Sequence, residues 1–276
     1  MQVLAGDLIK RDPTVGGDET ARRVGAGTDA TTVPRLGARR RRRATMAEDA
    51  LAQLRELIVL GSIPPGAPLR LEELAQELEM SISPIREAIR QLETLGLAEH
   101  VPYKGASVTR PTLDELEDVY EARLGLEALC VRRAARRFSA NDERAGRETL
   151  AELAGAYERE DVAGIVRANS AFHRVLAVAS GSRWLDRLLA PLLETSERYA
   201  ARLLLGDPAS HPRGVEERGH ELILAACCEH DVAAAEEALR DHLAVFARLS
   251  TASLAAAEAA AAAPAAAAGV VSRFDI

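Results

Sequence analysis

Aromatic residues are scarce in this chain: four Phe, four Tyr and one Trp make up 3% of its 276 residues. A core with so few rings is built mostly from aliphatic side chains, and the many Ala and Leu residues favour helices that pack through them. The length allows two modest domains, each with its own core. We therefore expect a mainly α-helical protein of two domains.

Cysteine is rarer still, with Cys130, Cys227 and Cys228 as the full set. Their number is odd, two of them are adjacent, and no metal-ligand spacing joins them, which argues against a disulfide framework and against a cysteine-based zinc site. We expect reduced, packed thiols, as in a cytosolic protein.

Long apolar runs are missing too, apart from an Ala-rich stretch near the C-terminus that is too weakly hydrophobic to hold a bilayer span. Residues 1–30 carry scattered charges and glycines, so we see no compact apolar segment typical of a signal peptide. The sequence predicts a soluble, cytoplasmic protein without a membrane partner.

An excess of positive charge is also absent, because the net charge is −7. Affinity for phosphate depends on local charge rather than on the total. Basic and acidic residues nearly balance between Arg39 and Arg110, and the rest of the chain holds the acidic excess. Charge alone therefore neither supports nor excludes DNA binding.

Residues 1–45 lack apolar periodicity and include the run Arg39–Arg43, a pattern typical of a disordered, Arg-rich arm. Three interpretations remain open. The run grips DNA phosphate or the minor groove, it is a solvated tail, or Met46 is the true start of translation.

Residues 46–110 have the periodicity of three short helices followed by a hairpin. Apolar residues at helical spacing start at Met46 and stop before Gly61, and a second short helix ends near Met80. The third is expected to begin at Ser83 as its N-cap, with Pro84 at the first helical position. Two short extended runs flank the turn at residues 102–105, so the order of elements predicts a winged helix-turn-helix.

The third helix of such a unit enters the major groove of DNA. Arginines four residues apart share one face of it and can reach guanine O6 and N7, while hydroxyls and backbone N–H groups hold phosphates. The wing tip can reach the backbone or the minor groove. The predicted DNA-contacting residues are Ser83, Arg86, Arg90, Gln91, Thr94, Lys104 and Gly105.

Four segments here resemble the GntR family of bacterial regulators: Gly61–Leu69, Glu73–Ala75, Ser83–Glu93 and Gly96-Leu97. They occur in order and at the family's spacings over residues 46–110. The chain departs from the family pattern at two positions that are basic in many or some members, where it has Ile82 and Glu72.

After Pro111 the chain has the pattern of six helices in residues 111–252, followed by an Ala-rich tail at 253–276. His220 and His242 lie about equally far from an expected turn at His230-Asp231, so they are level across an antiparallel hairpin. Asn169 and His173 are four residues apart and share a helix face. Neutral imidazoles suit Zn or Ni, although a single His on an apolar face is more often a core residue.

Residues 112–250 also resemble the FCD ligand-binding domain of one large GntR branch, at Arg123–Glu127, at Phe172-His173 and over His220 to His242. In that domain an Asp or Asn and three His hold a metal beside an effector pocket. The resemblance implies a divalent metal, Zn or Ni, on the residues Asn169, His173, His220 and His242.

Arg123 is the candidate anchor for an effector carboxylate, because a guanidinium matches a carboxylate fork. The alternative is a surface ion pair with Glu127, four residues on.

The whole pattern predicts a homodimeric transcription regulator, not an enzyme. It binds double-stranded operator DNA with an affinity controlled by a small carboxylate beside the metal. Two alternatives are a helical-bundle metalloenzyme fused to a DNA-binding domain, suggested by Glu217-x-x-His220, and an architectural DNA binder without a ligand. The enzyme needs further inward Glu residues that the sequence does not offer at the right spacing.

Overall fold

The computed structural model describes residues 45–103, 105–206 and 213–262. The expected arm at 1–45 lies outside the described residues except for Thr45, as do Lys104 and most of the Ala-rich tail. Within the described part the elements run in the order α1 (Met46–Val59), α2 (Leu71–Glu77), α3 (Ile82–Thr94), β1 (Ala98–Val101), β2 (Gly105–Val108), α4 (Leu113–Ala135), α5 (Ala140–Glu158), α6 (Val162–Ala179), α7 (Arg183–Leu205), α8 (Arg213–Cys228) and α9 (Val232–Ala262). The expected fold class, mainly α with a winged helix-turn-helix before a helical bundle, is confirmed.

The apolar stripes of α1 and α3 form the core of the DNA-binding unit. Leu54 on α1 and Ile85 and Leu92 on α3 are fully buried, and Leu97 closes the core from the start of the hairpin. Thr45 caps α1 through a capping box with Glu48, which explains why the helix begins at Met46.

The start of α3 differs from the expectation. Ser81, not Ser83, is the N-cap, and its side chain makes no capping hydrogen bond. The helix begins at Ile82, so Pro84 is its third residue. Proline is tolerated there because the N–H groups of the first turn have no partner inside the helix. Ser83 is an exposed residue of that first turn.

The wing is an antiparallel pair in which Ala98 faces Val108 and Val101 faces Gly105. Gly96 has φ +70° and lets the chain reverse after α3, with the Leu97 N–H donating to the Leu92 carbonyl at 2.9 Å. Residues 66–69 pair with the other edge of β2, which fixes the wing against the helices.

The helices α4 to α9 form the second unit, with α4 packed against α6, α7 and α9. Its largest core cluster joins four helices through fully buried residues that include Val131, Phe172, Ile223 and Leu239. Side-chain caps at Thr112, Ser139, Asp161 and Ser182 start α4 to α7.

The last helix continues ten residues beyond the expected boundary at 252. Leu254 is buried with Tyr199 and Phe246, and this contact keeps the Ala-rich segment helical to Ala262. The segment Val232–Ala260 is long and apolar enough to cross a membrane by length and composition. Its core face, including Leu239 and Leu243, instead packs inside the helical unit.

Candidate functional site

The recognition helix α3 presents its predicted arginines to solvent. Arg86 and Arg90 are exposed on the face opposite Ile85 and Leu92, and Arg90 forms a loose ion pair with Glu87 at 3.8 Å. Both arginines line a groove together with Gly105 of the wing. The arrangement leaves two guanidinium groups and the wing on one side of the DNA-binding unit.

Two other predicted DNA contacts, Gln91 and Thr94, form hydrogen bonds within α3. Gln91 is half-buried and donates to Glu87 at 3.5 Å, and Thr94 donates to the Arg90 carbonyl at 3.0 Å. Arg70, which sequence reasoning did not single out, lines the same groove and pairs with Glu73 at 2.7 Å.

The structure brings three histidines of the helical unit together, one each from α6, α8 and α9. His173, His220 and His242 are buried, and one ring nitrogen of each lies within 4.8 Å of the others. The rings of His220 and His242 are 4.3 Å apart between centroids, so the two residues do face each other across their hairpin. His173 and His242 approach through their Nε2 atoms at 3.3 Å.

A buried charged pair orients the histidine from α6. His173 Nδ1 lies 2.5 Å from Glu127 Oε2, and Arg123 Nε donates to Glu127 Oε1 at 2.7 Å. A His that donates its Nδ1 proton to a carboxylate presents the Nε2 lone pair to the centre of the cluster, which is the arrangement usual around metal-bound histidines. The Arg123 pair with Glu127 therefore exists, but in the interior rather than on the surface.

Several buried polar atoms in and beside the histidine cluster have no hydrogen-bond partner among the described residues. They are both ring nitrogens of His220, Oδ1 of Asn169 and Nη2 of Arg123. A buried polar atom without a partner costs free energy, so such atoms in one place point to a ligand that would satisfy them. Asn169, His173, His242 and Arg123 line one small cavity.

Burial sets the protonation of His220 and His242. It lowers the pKa of His220 and of His242 well below the usual value, helped by repulsion from the neighbouring rings, so both imidazoles are neutral. Burial would raise the pKa of Glu127, but attraction from Arg123 and His173 outweighs it and holds that pKa at about 2. Neutral imidazoles beside an ionised carboxylate suit a cation.

The cavity itself is very small. The volume open to the centre of a water molecule is about 10 Å³, close to what one ordered water needs. The cavity therefore has no room for a metabolite unless the lining side chains move.

Sequence reasoning did not identify Glu127 as the buried partner of His173, nor Ser196 and Glu197 on α7 as lining residues of the cavity. Both α7 residues line the cavity, and Ser196 Oγ accepts from Arg123 Nη1 at 3.0 Å. No periodicity signals such residues, because their roles depend on how α7 packs against α4.

The Glu-x-x-His pattern of the enzyme alternative does not form a site here. Glu217 pairs with Arg213 at 3.0 Å and is not among the residues of the histidine cluster.

Comparison with known proteins agrees with both units. Residues 46–108 match the model for bacterial regulatory proteins of the gntR family, and residues 118–245 match the model for the FCD domain. The chain is 30% identical over 205 residues to the probable D-xylose utilization operon transcriptional repressor of Paenarthrobacter nicotinovorans, covering 71% of this chain and 86% of that protein.

Two further likenesses extend over most of the chain. It is 28% identical over 245 residues to the uncharacterized HTH-type transcriptional regulator BphR of Paraburkholderia xenovorans, covering 83% of this chain and 91% of that one. The solved structure of E. coli McbR/YncC shares the fold, with a TM-score of 0.66 at 23% identity, over 78% of this chain and all of that one. The chain thus belongs to the GntR family of DNA-binding transcription regulators, in the branch that carries an FCD domain.

Proposed function

We propose that this regulator is a cytoplasmic homodimer whose affinity for operator DNA is set by a small carboxylate bound beside a divalent metal. The metal is held by His173, His220 and His242, with Asn169 as a fourth ligand. The observation that carries the proposal is the set of buried polar atoms without partners in the three-histidine cluster and in the cavity that shares His173 and His242 with it.

Zn or Ni suits three imidazole nitrogens and one oxygen, and a bound ion would supply an electrophilic position for an effector oxygen. Glu127 orients His173 for this role, as a carboxylate commonly does behind a metal-bound imidazole. Asn169 offers a neutral carbonyl oxygen, so it is a weaker ligand than an Asp at that position.

Arg123 is suited to anchor the effector. Glu127 and Ser196 hold its Nε and Nη1, which leaves Nη2 without a partner at the cavity. A guanidinium fixed by two hydrogen bonds is already oriented, so a carboxylate that binds it loses little rotamer freedom.

We infer that Arg86 and Arg90 on α3 bind the operator. The supporting contacts come from Ser83, Gln91, Thr94 and the wing residues Lys104 and Gly105. A homodimer places two recognition helices on a two-fold symmetric operator. Leu129 on α4 and Trp184 and Leu188 on α7 are exposed apolar residues, and we infer that they take part in the dimer interface. The domains we propose are residues 46–110 and 111–252, with α9 extending the second.

Elemental analysis of purified protein after addition of Zn or Ni and gel filtration tests the metal site. We expect one ion per chain in the natural sequence and little in His220→Ala. His100→Ala is the matched control, because His100 is exposed on β1 and lies outside the cluster. Asn169→Asp should bind the ion more tightly by supplying an anionic oxygen. A chain that stays metal-free with all three histidines intact would refute the metal site.

A thermal-shift screen of small carboxylates, with and without metal, tests the effector site. A carboxylate that stabilises the natural chain should fail to stabilise Arg123→Gln. It should still stabilise Arg132→Gln, because Arg132 pairs with Glu236 away from the cavity. Equal stabilisation of both variants would remove Arg123 from the effector site.

A further inference from the structure

Four consecutive residues of α7 connect the cavity with the DNA-binding unit. Ser196 accepts a hydrogen bond from Arg123, and Glu197 lines the cavity. Their neighbours Thr195 and Arg198 contact the end of the recognition helix instead. Successive helical residues point in directions about 100° apart, so one turn of α7 reaches both units.

The contacts with the end of α3 are specific. Thr195 Oγ1 donates to the carbonyl of Leu95, the C-cap of α3, at 3.0 Å. Arg198 Nη1 donates to Thr109 Oγ1 at 2.8 Å, and Thr109 in turn donates to the Gly96 carbonyl at 2.6 Å. These bonds fix the position at which the recognition helix ends and the wing begins.

Glu197 joins the cavity to α1. It lines the cavity beside Ser170, the neighbour of Asn169, and its carboxylate pairs with Arg55 on α1. Glu197 is 6% exposed, so water screens this ion pair little. A second ion pair between α1 and the helical unit, Glu56 with Arg167 at 3.4 Å, is about half exposed and does not reach the cavity.

Because the cavity is small, a bound ligand would disturb these contacts. The centre of a water molecule can occupy only about 10 Å³ of the cavity, so a carboxylate can enter only if the walls move. The wall on α7 consists of Ser196, Glu197 and Ala200. A negatively charged effector on Arg123 would repel Glu197 and compete with Ser196. Packed interiors respond to such a change by shifting elements, not by local compression.

We propose that residues Thr195–Arg198 are the link through which occupancy of the cavity changes the placement of the recognition helix. The inference rests on the proposed function, since it takes this cavity as the sensing site. Ser196 and Glu197 respond to the ligand, Glu197 transmits the change to α1 through Arg55, and Thr195 and Arg198 transmit it to the end of α3.

A double-mutant cycle tests the link without any effector. The readout is the affinity of the full, metal-free chain for a DNA duplex that the chain itself selects from a random pool. Arg123→Gln changes the cavity. If that variant folds poorly, Ser196→Ala is used instead, because of the contacts of Arg123 it removes only the hydrogen bond to Ser196. We expect either change to alter DNA affinity at least ~5-fold, the lower end of typical coupling between sites.

The same changes are then repeated in two backgrounds. In the triple variant Arg55→Gln, Thr195→Val, Arg198→Gln the three contacts of the link are removed, and the effect of the cavity change should shrink to less than ~2-fold. In the control background Arg167→Gln the other ion pair is removed, and the full effect should remain. Circular dichroism melting confirms that each variant is folded.

An effect of equal size in every background, or no effect in folded protein, would overturn the link. The cycle uses metal-free protein, so its result does not depend on whether the chain binds Zn²⁺. Zn²⁺ binding by the natural chain, measured separately by calorimetry, tests the proposed function. If the natural chain does not bind Zn²⁺ but the double-mutant cycle gives the expected result, the metal site is refuted and the link is not.

Discussion

Arg86 and Arg123 carry the same guanidinium group but lie in opposite environments. Arg86 is exposed beside the wing, where it can meet a base edge, whereas Arg123 is 3% exposed with a carboxylate at its side. Helical spacing predicted the exposed face of α3 correctly. It did not predict the burial of Arg123 and Glu127, because a pair four residues apart has the same pattern on a surface and in a core.

Arg86→Ala should weaken operator binding by roughly 1–3 kcal/mol and relax the preference at one base pair, because one bidentate contact is lost. Fluorescence anisotropy with a set of single-base operator variants measures both effects. Arg147→Ala on α5 is the control, since Arg147 is exposed and pairs with Glu143 far from α3. Unchanged affinity and preference in Arg86→Ala would contradict the assigned docking face.

Gly219→Ala should weaken metal binding without unfolding the chain. A Cβ at this position would lie 2.7 Å from His242 Nδ1, so the ring must shift out of the cluster. Gly214→Ala on the same helix is the matched control, because a Cβ there meets nothing within 4 Å. Calorimetric Zn²⁺ titration should show weaker binding for the first variant only, and equal affinities would show that the ring tolerates the shift.

Whole elements were predictable to the extent that local signals define them. Apolar periodicity and turn residues gave the number and order of the helices and the hairpin in the described part of the chain. Two ends were misplaced, at Ser81 and beyond residue 252. Both depend on tertiary packing: the start of α3 has no side-chain cap to mark it, and the extension of α9 rests on contacts with α4 and α7.

Leu254→Ala should lower the free energy of unfolding by about 2 kcal/mol or more, the usual cost of truncating a buried Leu. Leu254 is 3% exposed against Tyr120 and Tyr199, although it stands in an Ala-rich stretch. Urea denaturation measures the change. Ala255→Ser, at an exposed neighbouring position, should cost little, and a similarly small loss for Leu254→Ala would mean that the end of α9 does not belong to the core.

At the scale of the molecule, the histidine cluster is the part of the site that sequence reasoning located best. Equal distance from one turn placed His220 and His242 level, and the cluster forms as that spacing indicates. α7 contributes a further wall of the cavity, through residues that no spacing rule relates to the histidines. Such long-range contacts leave no periodic trace, and so Ser196 and Glu197 emerged only from the structure.

The stability of the whole chain should depend on pH through Glu216, which contacts the Tyr157 hydroxyl near the start of α8. Burial, with repulsion from Glu217, raises the pKa of Glu216 from 4.5 to about 8. Between these values the folded chain holds a proton that the unfolded chain has lost, so this contribution to stability is full below pH 4.5 and declines as the pH rises toward 8.

Urea denaturation at pH 5.5 and pH 7.5 measures that decline. In Glu216→Gln the difference between the two pH values should be smaller, since the amide does not titrate. Glu221→Gln, on the exposed side of the same helix, should leave the difference as it is in the natural chain. If Glu216→Gln also left it unchanged, Glu216 would be ionised in the folded protein.

Control of DNA binding from the cavity can be measured directly. Zn-loaded protein is titrated with the carboxylate found by thermal shift, and the affinity of the protein for selected duplex DNA is followed. The structure predicts a change of at least ~5-fold at saturation, absent in Arg123→Gln and retained in Arg132→Gln. The same DNA affinity in the natural chain with and without saturating carboxylate would contradict control of DNA binding from this cavity.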